Sequence, residues 1–212
     1  MDKNQEQLDA LKDIRSMMEQ SSRFISLSGL SGVFAGIFAL CGAWFAYDIL
    51  ERWRIILYTI SDAVTYNTQL KELYLLLFAD AGSVLVASLA ICTLLTIRNS
   101  RKKGISIWDA TAKRVLINLM IPLISGGIFC LILLYHGYFG LLAPCTLLFY
   151  GLALLNASKY TLNDVRYLGI CEIILGLIAS FYIGYGLIFW AIGFGALHII
   201  YGAVMYFKYE RS

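Results

Sequence analysis

The chain has 212 residues, 59% of them apolar and only 15% charged, with a formal net charge of +3 and a mean hydropathy of +0.72. A soluble domain of this length carries roughly a quarter charged residues and needs polar surface to cover its core. The composition therefore excludes a cytosolic globular enzyme, a disordered tail, a disulfide scaffold and a nucleic-acid binder, and predicts an integral membrane protein.

Residues 1–22 are polar and place Leu8, Leu11, Ile14 and Met18 at helical spacing, which predicts a short amphipathic cytoplasmic helix ahead of the first span. Its five acidic residues outnumber its three basic ones, unlike the Lys/Arg-rich helices that bind anionic lipid. Docking beneath its own bundle is the simplest role; a partner contact or a short coiled coil is the alternative. The apolar run that follows is too long for the core of a signal peptide, so the first span is expected to direct insertion itself.

A helix needs about 20 apolar residues to cross roughly 30 Å of hydrocarbon. Residues 24–47 and 73–97 each supply one crossing. Val115 to Asn156 is apolar almost throughout and about twice too long for a single helix. Its best break is His136-Gly137-Tyr138, with Pro144 just inside the next helix, giving spans at 115–135 and 139–156. The same argument divides the last apolar stretch at Gly184-Tyr185-Gly186 into spans at 167–183 and 187–207. The expected fold is thus all-α, with residues 23–212 forming one six-helix transmembrane bundle. Placing both termini in the cytoplasm puts fourteen Lys and Arg residues inside and leaves only Arg52, Arg54 and Lys71 outside, as the positive-inside rule requires. Short loops without an accessible outside glycosylation site suit a bacterial inner membrane.

The only sizeable outside segment is 48–72. Trp53, Ile56, Leu57, Ile60 and Val64 recur at helical steps there, so the first helix either continues past the bilayer or gives way to a helix along its surface; the surface helix is the simpler expectation. In the first span Ser28, Gly32 and Gly36 form a small-x-x-x-small stripe, and the sixth carries Gly193, Gly195 and Gly202. Such surfaces let backbones approach closely in lipid. Packing within the bundle is the expected use, and a homodimer through the first helix the alternative.

Titratable groups inside spans are costly and therefore point to function. Glu172 in the fifth span and His198 in the sixth are the deep ones. Pro122 has no N–H to give the carbonyl of Asn118, four residues earlier, so the third helix is expected to kink there with a free carbonyl. Asn118, Ser125, Glu172, His198, Ser28 and Ser31 all fall between the cytoplasmic face and the midplane, which suggests a polar, inward-opening cavity that binds a small solute or an ion. The five cysteines (Cys41, Cys92, Cys130, Cys145 and Cys171) all lie in apolar stretches without metal-ligand spacing, and read as small hydrophobes. No metal, cofactor or nucleic-acid motif is present, and neither is a protease, hydrolase or nucleotide-binding signature. Three functions compete: a small transporter or channel working through Glu172 and His198; a non-catalytic sensor or assembly partner working through the N-terminal helix or segment 48–72; and, third, an intramembrane enzyme whose reactive group the sequence does not reveal.

Overall fold

The computed structural model describes residues 28–102, 104 and 108–211; the N-terminal amphipathic segment lies outside them. Among the described residues the chain is all helical. Its six helices are α1 (Gly29–Thr59), α2 (Ala63–Lys102), α3 (Ala110–Tyr135), α4 (Leu142–Ala157, with single 3₁₀ turns at Phe139–Leu141 and Ser158–Tyr160), α5 (Asn163–Phe181) and α6 (Gly186–Tyr209). Five are long and apolar enough to cross a membrane. The exception is α5, which has 19 residues and carries Asp164, Arg166 and Glu172.

The first two helices are longer than their apolar runs. α1 has 31 residues and α2 has 40, or about 46 and 60 Å at helical rise. Segment 48–72 is therefore not a separate surface helix: it is the distal part of α1, a corner at 60–62, and the start of α2. No Gly or Pro occurs between Gly42 and Gly82 to break a helix. The corner falls where Asp62 accepts the Val64 N–H at 2.9 Å and the Thr65 N–H at 3.2 Å, the pairing of a helix N-cap. Arg52–Asp48 at 2.6 Å and Arg54–Glu51 at 2.9 Å run along the exposed end of α1. Asp109 caps α3 by accepting the Ala112 N–H at 2.6 Å. The turns that follow α3 and α5 use Gly137 (φ 77°) and Gly184 (φ 105°), a backbone region that favours glycine.

Packing runs in the order α2, α1, α6, then α4 with α5, with α3 on the far side of α4. Small residues set the distances. The buried face of α1 reads Gly36, Ala39, Ala43 and Ala46 at alternating three- and four-residue steps. A β-carbon on Gly29 would strike the backbone of Gly202 and Tyr206, and one on Gly36 would strike the Gly195 carbonyl. Gly32 faces the Gly202 Cα. The stripe on α1 is thus occupied by the stripe on α6, and a dimer through that face would have to displace α6. Gly151 and Gly169 bring α4 and α5 backbone to backbone in the same way.

The two ends of the described chain are also tied. The Glu210 carboxylate accepts the Gly29 N–H and, at 3.2 Å, the Ser28 hydroxyl, so an anion from beyond α6 caps the positive end of α1.

Gly202→Ala should therefore force α1 and α6 apart and cost about 1–3 kcal/mol. Gly127, which has open space around it, is the control: alanine there should be neutral or stabilising by up to about 1 kcal/mol. Melting temperatures in detergent check this, and equal effects at both positions would contradict the packing.

Candidate functional site

On α5 the buried residues are Val165, Leu168, Gly169, Glu172, Gly176 and Ala179, a stripe at three- and four-residue steps that faces α4 and α6. Glu172 occupies one position of this stripe, so the helix that packs its apolar face inward carries the carboxyl inward with it. Its exposure is 0%. Space for it comes from Gly193 on α6, where a β-carbon would collide with the Glu172 carboxyl and with Leu147.

Gly193 belongs to a π-helical stretch, Ala191–Leu197, that interrupts α6 just before His198. Widened turns of this kind alter the register of backbone groups and recur at functional sites. The His198 ring, 7% exposed, lies back along this stretch. Its Nδ1 is 2.9 Å from the Gly193 carbonyl oxygen and 3.6 Å from Glu172 Oε1, while its Nε2 is 2.8 Å from the Tyr150 hydroxyl on α4. Among the described residues, neither Glu172 oxygen has a hydrogen-bond partner.

These contacts determine what each atom does. A carbonyl can only accept, so Nδ1 carries a proton and donates it to Gly193. In the neutral ring Nε2 is then a lone pair, which accepts the Tyr150 O–H. If the ring gains a second proton at Nε2, the same phenol oxygen accepts it by rotating its own hydrogen away. The imidazole can thus take both charge states without exchanging partners. Glu172 has no such provision: a lone carboxylate held away from water and without donors costs several kcal/mol. Two arrangements keep the site neutral overall, a carboxylic acid beside neutral imidazole and a carboxylate beside imidazolium. They differ in the place of one proton, on the Glu172 carboxyl or on His198 Nε2; Nδ1, the atom 3.6 Å from Glu172 Oε1, keeps its proton in both.

Two aromatic rings, Tyr150 and Phe194, pack against the imidazole. Trp190, Phe194 and His198 follow one another at four-residue steps, with ring centroids 4.9 and 5.9 Å apart, and Tyr150 lies against both Phe194 and His198. Towards the end of α6, Leu168 and Met205 join the buried cluster that Tyr201 and Tyr209 pack against. Beyond it Asp164 accepts the Tyr209 hydroxyl at 2.6 Å and both its oxygens accept from Lys208 Nζ at 3.1 Å.

Of the six residues expected to line one cavity, the structure brings together Glu172 and His198. Ser28 is at the Glu210 cap, and Ser31 donates to the Ser28 carbonyl at 2.6 Å. Ser125 donates to its own helix at Ile121, 2.9 Å away. The Asn118 carbonyl, which Pro122 cannot pair, is not left free: Asn156 of α4 donates to it at 2.9 Å. Pro122, Ser125, Asn156 and Lys159 border an open groove of about 480 Å³ between α3 and α4, walled by Phe149, Leu152 and Leu155. Tyr150 and the Gly193 carbonyl were not anticipated. One tyrosine among 14 gives no signal by itself, although the four-residue spacing of Trp190, Phe194 and His198 was available.

The Asp164 cluster gives a pH dependence. Burial raises the Asp164 carboxyl, but hydrogen bonds from Tyr209 and Lys208 and the Lys208 charge outweigh it and hold the group below the usual carboxylate range. A carboxyl depressed by folding contributes stability above its unfolded value, about 3.9, and loses it as pH falls through the folded value. Asp164→Asn should lower the melting temperature at neutral pH, and the gap from wild type should close below about pH 4. A gap independent of pH would contradict the assignment.

No protein-family model, no curated protein and no solved structure matches this chain.

Proposed function

We propose that the chain is a six-span membrane protein, with both termini in the cytoplasm, that works as a small transporter whose cycle takes up and releases a proton at Glu172 and His198. The observation that carries this reading is the fully buried Glu172 carboxyl, without a hydrogen bond among the described residues and 3.6 Å from an imidazole whose partners suit both charge states. A purely structural residue at that position would be apolar, since an unpaired carboxyl weakens packing. The neighbouring π-helical stretch and Gly193 offer a point at which α6 can change register and open the site.

The membrane reading is supported by the five long apolar helices. α5 joins them as a sixth crossing because its 19 residues span about 28 Å, and because Asp164 and Arg166 lie in its first turn, leaving only Glu172 deep. Six crossings return the C-terminus to the side of the N-terminus, in agreement with the distribution of Lys and Arg. A bacterial inner membrane fits the short connections.

A second reading, an assembly partner that uses segment 48–72, is favoured by one observation. The α1–α2 corner projects as a helical hairpin with Ile55, Tyr58 and Val64 exposed.

Reconstituted vesicles carrying an internal pH dye separate the two. A pH step should drive proton uptake faster than in empty vesicles, and Glu172→Gln should reduce that rate at least tenfold. His198→Gln should slow it and shift its pH dependence. Wild-type vesicles that behave as empty ones would overturn the transport reading and leave the assembly role.

A further inference from the structure

Cys130 and Cys145, which the sequence alone presents as two more apolar positions, meet across α3 and α4 with their sulfurs 3.3 Å apart and both thiols free. Two other pairs and a turn fix the register of this seam independently. Asn156 is bonded to the Asn118 carbonyl, the Phe149 ring covers Gly126, and the 3₁₀ turn at Phe139–Leu141 closes the connection at the far end. Gly126 and Phe149 precede and follow the cysteines by four residues each, so the two rungs belong to one antiparallel ladder. The seam holds the sulfurs in contact without help from any bond between them. Closing a bond of about 2.0 Å from there needs side-chain rotation and a small approach of the helices.

We propose that Cys130 and Cys145 are a redox-active dithiol that closes to a disulfide, with a lipid-soluble quinone as the oxidant. In this step both S–H bonds break and one S–S bond forms. The two electrons and two protons released reduce the quinone to its quinol, so the thiols are oxidised and atoms and charge balance. The class of oxidant follows from the surroundings. Cys145 is buried and Cys130 half-buried, and the residues flanking Cys130, Phe129 and Leu131, are exposed and apolar. An oxidant must therefore approach through an apolar medium. Cys130 lies five residues before the end of α3 and Cys145 three residues after the start of α4, so the pair is roughly 5–8 Å from the α3–α4 turn, within reach of a ring near the membrane surface. The bond would staple α3 to α4 on the side away from the α6 site, and it does not depend on transport.

The test uses the purified full-length protein in detergent and a fully substituted ubiquinone analogue, whose ring has no free position for thiol addition. After incubation the sample is quenched in acid, unfolded and alkylated, and its mass is measured. Wild type has five cysteines, and the expected result is three alkylations, returning to five after treatment with dithiothreitol. Proteolysis should map the cross-link to Cys130 and Cys145. Cys130→Ser and Cys145→Ser should each abolish the response, whereas Cys41→Ser should keep it. Peptide mapping of the wild-type chain decides the matter even if a serine variant fails to fold. Five alkylations after the quinone, a cross-link between other cysteines, or one between two chains would overturn the proposal. Closure by diamide and not by the quinone would overturn it too, because the pair would then be merely adjacent.

Discussion

Backbone contact between glycines is the constraint on which this architecture rests. Helices that stay surrounded by apolar material gain little from hiding further apolar surface, so their association depends on close fit. The contacts of Gly29, Gly32 and Gly36 with α6, and of Gly151 with Gly169, bring main chains together where a single methyl group would not fit. These approaches hold α1, α6, α4 and α5 as a unit. α2 packs against α1, and α3 against α4. Gly193 serves a related purpose at the centre, since the space left by its missing side chain is filled by the Glu172 carboxyl.

The polar interior follows from this close packing. Once α5 packs its stripe inward, Glu172 has no route to solvent, and the surrounding groups determine what it can be. Gly193 and Tyr150 occupy the two nitrogens of His198 and leave the carboxyl beside the imidazole, a titratable neighbour 3.6 Å away. A proton can therefore be held on either group while the pair as a whole stays neutral, and adding or removing one from the pair creates a net charge that only a structural change or a counter-charge would relieve. A coupling of charge to conformation of that kind is what the proposed proton-driven cycle would draw on. The layer between Leu168 and Met205 separates this pair from Asp164, Lys208 and Tyr209, so opening towards that end would need those two side chains to part.

Much of the helical framework was legible in the sequence, because runs of apolar residues too long for one crossing must fold back and glycine marks the turns at 137 and 184. The lengths of α1 and α2 were not, since hydropathy marks where a helix is apolar and says nothing about where it stops. Without a breaker before Asp62, helix continues through Arg52, Arg54 and their acidic partners. In the site, Glu172 and His198 stood out because charge in an apolar run is expensive. The polar partners of His198 could not be seen: Tyr150 is one aromatic residue among many, and the Gly193 carbonyl becomes available only through the π-helical turn. The serines were misleading for a physical reason. A hydroxyl in a helix readily satisfies itself on a carbonyl three or four residues back, as Ser31 and Ser125 do, so a serine at the right depth need not face a cavity. The Asn118 carbonyl was correctly read as unpaired within its helix, but Asn156, far along the chain, supplies its partner.

The central claim is that Glu172 and His198 form one coupled unit. A double-mutant cycle of Glu172→Gln and His198→Gln, read as thermal stability in detergent across a range of pH, measures that coupling directly. The account predicts an interaction energy of about 0.5–3 kcal/mol that changes with pH, because each single variant strands a partner that the double variant does not. Strict additivity at every pH would mean that the two residues pack side by side without sharing a proton, and would contradict it.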